Sequence, residues 1–258
     1  MDTNTLEEIL TGYKEILGIR YPRNLKEFIL REVTAAKFEA ACFSIFRSYG
    51  LEVVIGENLK KRGPDFLCSC KMGQFALEVT IINTTSMEDK TGMKNCQKGI
   101  LGGFYQAYQT DPALRQKLVE KAGQVSACHF PRIVAIGSFH NESLTLFREV
   151  LADEYLDVFL DSDSHGNLQP NVDLRDISAI VLIGFSGNDY TIMGILNPEP
   201  IYHFNIEILP DIAFRRITER GMKDKTGEGE WVKSKIEETG ITFRYPLQAH
   251  MLIKDTIV

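Results

Sequence analysis

The chain is expected to fold as a mixed α/β (α+β) protein, a central sheet flanked by helices. Two observations carry this expectation. Near the N-terminus apolar residues recur at three- and four-residue steps, and further on they gather in short runs rich in Val, Ile and Phe. The two kinds of segment then alternate along the chain, which is the pattern of a sheet covered by helices. The 258 residues suffice for one large domain or one domain with an appendage. Hydrophobic residues at 44% and charged residues at 25% fit a soluble globular protein with a substantial core.

The elements follow in order. Leu6, Ile9, Leu10, Tyr13 and Leu17 have helical spacing, with a stop at Gly18. A longer helical pattern covers residues 25–49 and includes Phe38, Ala41, Cys42, Ile45, Phe46 and Tyr49, with Gly50 at the C-terminal cap position. Residues 51–55 read as a strand. Two further strands, 65–70 and 75–82, are joined by a hairpin loop over Lys71, Met72, Gly73 and Gln74. Residues 84–92 are polar and read as a loop. Helical segments are expected over 94–109 and, opened by Asp111-Pro112, through about residue 122. Residues 132–136 are apolar throughout and predict a central strand. A helix over 141–152 and two late strands, 177–185 and 190–196, complete a core spanning residues 1–200. After Pro198 and Pro200 the periodicity weakens, so 201–258 is expected to be a C-terminal extension packed on that core, with a flexible loop over 223–230.

Bulk chemistry narrows the function classes. A net charge of −6 argues against a protein that coats polyanions generally. It leaves room for a local basic strip, and Lys60-Lys61-Arg62 is either that or an ordinary solvated loop. The five cysteines are odd in number, contain no Cys-x-x-Cys and follow no secretory leader, so a reducing, cytoplasmic setting is expected. No apolar run approaches the roughly 20 residues that a bilayer crossing needs, so no membrane partner is expected. The histidines are scattered, none paired at i, i+4 as zinc hydrolases require. The stretch Asp161-Ser162-Asp163-Ser164-His165-Gly166 imitates the start of a calcium loop, but Val172 stands where the bidentate carboxylate belongs, so an exposed turn is expected.

The chemistry-bearing features are acidic. Asp65 opens one predicted strand behind Gly63-Pro64, and Glu78 lies inside the next, in Glu78-Val79-Thr80. Strand alternation puts Gln74, Ala76, Glu78 and Thr80 on one face. A buried carboxylate is costly unless compensated, and a divalent metal is one such compensation. Glu39 also stands inside an apolar helical stripe and calls for a cation, either a metal or a salt-bridge partner among Arg31, Lys37 and Arg47.

A helix bearing Glu39, a strand, Gly63-Pro64-Asp65, Glu78-Val79-Thr80, then a helix and a strand resembles the core of the PD-(D/E)xK nuclease superfamily, the restriction-endonuclease-like fold. The resemblance covers residues 34–137. It implies a metal-dependent endonuclease that hydrolyses phosphodiester bonds of DNA or RNA with Mg²⁺ or Mn²⁺, and it allows a homodimer. By that resemblance Asp65 and Glu78 are the metal ligands, the Val79 carbonyl is a further ligand, and Glu39 is an additional acid. The chain departs from the motif at Thr80, where the superfamily has lysine. Some branches move that lysine to the following helix, which points to Lys94, with Lys90 and Lys98 as substitutes. Lys60, Lys61, Arg62, Lys90, Gln97 and Lys98 are the expected substrate contacts. The departure at Thr80 equally motivates a catalytically inactive module of the same fold that binds nucleic acid or a protein partner. A hydrolase of another type, whose acids only imitate the motif, is the third alternative.

Overall fold

The computed structural model describes residues 33–56, 63–91, 110–122, 129–140, 143, 147, 157–162, 168–186, 189–218 and 229–232. The expected helix over 5–17, the one over 94–109 and the start of the 25–49 pattern lie outside them.

Helix α1 (Val33–Ser48) ends on Gly50, which takes the left-handed conformation (φ +80°) and donates its N–H to Arg47 O at 2.9 Å. Strands β1 (Glu52–Ile55), β2 (Phe66–Cys70) and β3 (Gly73–Ile81) follow as an antiparallel meander. Helices α2 (Thr84–Thr91) and α3 (Thr110–Ala122) come next, then β4 (Arg132–Ser138), parallel to β3. A small hairpin, β5 (Leu160–Ser162) with β6 (Leu168–Pro170), stands apart from the main sheet. The chain then returns as β7 (Ala179–Ser186), parallel to β4, and β8 (Asp189–Leu196), antiparallel to β7. Strand β9 (Phe214–Ile217) runs parallel to β8, and β10 (Gly229–Val232) antiparallel to β9. Among the described residues the eight strands of the main sheet lie in the order β1-β2-β3-β4-β7-β8-β9-β10. The protein is thus mixed α/β, with a large mixed sheet flanked by helices.

The sheet separates two apolar layers. On one face α1 sets Phe38, Cys42 and Phe46 against Phe75, Leu77, Val79, Ile133 and Ala135. On the other, Leu114 and Leu118 of α3 and Met87 of α2 meet Ile82, Val134, Ile136, Ile180 and Leu182. Every residue of β4 is buried, as its unbroken apolar run requires of a central strand. Glycine at 137 lets α1 approach: a Cβ there would overlap the Phe38 ring.

Two elements differ from their sequence reading. Residues 84–91, expected as a loop, form α2: the polar turn is anchored by one residue, fully buried Met87, whose N–H bonds Asn83 O at 3.0 Å. Local polarity is a weak guide when a single side chain docks into a core. Of the extension expected over 201–258, the described residues 201–218 and 229–232 contribute β9 and β10 to the sheet itself, and the rest lie outside the described residues. Phe204, Ile208, Leu209 and Ile212 fill the α1-side layer from irregular and short 3₁₀ segments, beside Phe214 of β9, so their burial leaves no clear periodicity. Of the stretch 161–166, Asp161 and Ser162 lie in β5 and Asp161 pairs with Arg115 of α3, while 163–166 lie outside the described residues.

Gly137→Ala should destabilise the protein by about 1–3 kcal/mol, the usual cost of overfilling a packed core. Chemical denaturation of the variant against the parent measures it.

Candidate active site

Pro64 has no N–H to give a ladder, and β2 begins just after it, at Phe66. The antiparallel register sets Phe66 opposite Leu77, so one step further Asp65 falls opposite Glu78. Both side chains then leave the sheet on the face that α3 covers. The ladder to β2 stops at this step, which orphans the next inward amide of β3. Asp65 Oδ2 accepts it, the Val79 N–H, at 2.6 Å. Even-numbered β3 residues bond towards β4, as Ala76 N–H to Pro131 O and Ile82 N–H to Gly137 O do. The Val79 amide and carbonyl therefore both face the β2 side, where Asp65 stands.

Helix α3 supplies the third group. Leu114, Leu118 and Ala122 bury its inner face, and Lys121 continues that stripe one step from its end. Arg115 ties the helix to β5 through Asp161 and through Leu160 O at 2.6 Å. So held, Lys121 Nζ lies 3.1 Å from Glu78 Oε2 and 3.5 Å from Asp65 Oδ2. Glu78 is only 2% exposed, and its Oε1 has no hydrogen-bond partner among the described residues. Burial first, and then the Asp65 charge, push the Glu78 carboxyl up to about 7, against the pull of Lys121 and Arg132. Burial pulls the Lys121 ammonium down, but Asp65 and Glu78 outweigh it and its net shift is upward.

The structure thus brings together Asp65, Glu78 and the Val79 backbone. Thr80 shares Glu78's face, half-buried, and offers no charge there. Glu39 sits on α1, which packs against the opposite face of β3. It is partly buried and, with burial and Asp65, helps hold the Cys42 thiol well above its ordinary value. Among the described residues no group of three or more His, Cys, Asp or Glu is arranged to hold one metal ion, so Glu39 is not gathered with the pair. Lys90 is carried on α2. Lys60, Lys61, Arg62, Lys94, Gln97 and Lys98 lie outside the described residues.

The ammonium found at the pair is Lys121, which the sequence reading passed over. Its signal was present: a lysine three residues after Leu118 and seven after Leu114 stands inside an apolar stripe, the same anomaly that drew attention to Glu39. No family model matches the chain, and neither a curated protein nor a solved structure matches it.

The raised Glu78 fixes the sign of one pH effect. Its contribution to stability is fully present below the unfolded value of 4.5 and is lost as pH rises through about 7. Melting curves in chelator at pH 5 and pH 8 should show a penalty of roughly 3 kcal/mol at the higher pH, taken from the size of the shift. Glu78→Gln should lack that penalty.

Proposed function

We propose that the protein is a metal-dependent nuclease that hydrolyses phosphodiester bonds of DNA or RNA. The observation that carries the reading is the ammonium of Lys121 lying within reach of two carboxylates, Glu78 on β3 and Asp65 just ahead of β2. A basic group thus stands beside Asp65 and Glu78 although Thr80 occupies the motif position. The order helix, three-strand meander, helix and parallel strand supports the finer assignment of residues 34–137 to the restriction-endonuclease-like fold.

The residues suit a hard divalent ion. Magnesium is held by one or two carboxylates, with water and substrate phosphate completing its shell. Asp65 and Glu78 supply the two, and the buried Glu78 Oε1 is an acceptor without a hydrogen bond among the described residues. The Val79 carbonyl faces the same edge. Bound there, Mg²⁺ or Mn²⁺ supplies an activated water and neutralises charge developing at phosphorus.

The chain's own groups do the rest. The Val79 N–H fixes the Asp65 carboxylate, so one ligand is oriented before substrate arrives. Lys121, poised by the buried face of α3, leaves the carboxylates and places its positive charge on the phosphate oxygens as they become more negative.

Purified protein with Mg²⁺ or Mn²⁺, offered single- and double-stranded DNA and RNA, should cleave at least one of them and stop on adding chelator. Asp65→Asn and Glu78→Gln should abolish cleavage in folded protein. Lys121→Met should lower it about 10²–10³-fold, the usual loss of one group that stabilises transition-state charge. The same variant should bind Mn²⁺ no more weakly than the parent, because its ammonium competes for the carboxylates. Folded, Mn²⁺-loaded protein that cleaves none of the four polymers would instead favour the inactive binding module.

A further inference from the structure

A second buried cation lies beside Glu78 and takes no part in the arrangement so far. Arg132 opens β4 directly opposite Ala76, while Glu78, two residues along β3, faces Val134. Arg132 and Glu78 are therefore diagonal neighbours on one face of adjacent strands, a separation that a guanidinium on its long stem spans. Arg132 is 3% exposed and Glu78 2%. Among the described residues, Arg132 Nε and Nη1 have no hydrogen-bond partner, and Glu78 Oε1 has none either. Two donor atoms and one acceptor of opposite charge are thus buried on one face of adjacent strands, with no hydrogen bond or ion pair to either among the described residues. A buried charge left so is costly, and the pairing that removes both costs is with each other. Electrostatically Arg132 already acts on Glu78, holding its carboxyl down.

The direction of approach separates Arg132 from Lys121. The Asp65 carboxylate, bonded to the Val79 N–H, lies on the Val79 side of Glu78, whereas Arg132 stands at the level of Ala76, on the other side. Its backbone is fixed there, with its N–H on Ser178 Oγ at 2.9 Å and its carbonyl accepting from Ser178 N–H at 2.8 Å.

We propose that Arg132 is a positioning residue: from beneath the acidic pair it grips Glu78 Oε1 and keeps that carboxylate in place when the Lys121 ammonium turns to substrate. Two carboxylates and two cations make the site neutral. With Lys121 given over to phosphate, Arg132 is the cation that stays with Glu78. The inference rests on the metal-centre reading for its purpose, though not for the Arg132–Glu78 link itself.

The link is tested in chelator, without any metal. Glu78→Gln should partly rescue the melting temperature, or the folding, that Arg132→Gln loses, since it removes the carboxylate left unpaired. A double variant no more stable than Arg132→Gln overturns the proposal. Its purpose is tested by Mn²⁺ binding, followed through the electron paramagnetic resonance signal of the free ion. Arg132→Met should raise the dissociation constant about 10–100-fold, the usual effect of removing a group that supports a metal ligand. Arg132→Lys should restore most of that loss. Folded Arg132→Met that binds Mn²⁺ as the parent does overturns the positioning role. A parent that binds no Mn²⁺ sinks the metal-centre reading, while the chelator experiment still decides whether Arg132 holds Glu78.

Discussion

A carboxylate as enclosed as Glu78 cannot keep its charge alone, and the rest of this molecule is arranged around that constraint. Desolvation and the neighbouring Asp65 both favour the neutral acid, and the Lys121 ammonium opposes them at hydrogen-bonding distance. Removing one partner of such a buried pair ordinarily costs about 3–5 kcal/mol, because the remaining charge is stranded. The placement of α3 is therefore a condition for this pair of acids. Leu114, Leu118 and the Arg115–Asp161 pair hold the helix so that its last turn ends over β3.

The same constraint explains why the sheet ends as it does. An antiparallel ladder that continued past Phe66 would give the Val79 N–H a backbone partner. Stopping β2 behind Pro64 hands that amide to the Asp65 carboxylate. One interruption thus orients an acid. Under the proposed reaction that is needed, since the ligand must be fixed before the substrate arrives. The cations divide in the same manner. Lys121 keeps a small part of its side chain at the surface, and Arg132 is almost fully enclosed.

Much of this was written in local pattern. The β2–β3 hairpin, the all-apolar β4, the cap at Gly50 and the shared face of Glu78 and Thr80 follow from alternation, run length and turn chemistry, which act over a few residues. Placing Asp65 at the start of β2 and Glu78 inside β3 needed no more than that. Two features were not legible in this way, and of a third, Lys121, local pattern carried the burial and not the partner. Helix α2 depends on Met87 finding a pocket made by α3 and β4. Strands β9 and β10 depend on a parallel docking against β8, where the Phe214 ring covers Gly194. Lys121 depends on where the end of a helix lands on a sheet that is built from other parts of the chain.

The sequence by itself determined that Asp65 and Glu78 would meet, because hairpin register is set by residues next to them. Only the tertiary structure decided which cation meets them. Lysines on several segments could each have been swung towards β3, and sequence spacing carries no information about the angle at which a helix crosses a strand. Layer packing chose that angle, through Leu114 and Leu118 on one side and Val134 and Ile136 on the other, and so brought Lys121 to the pair.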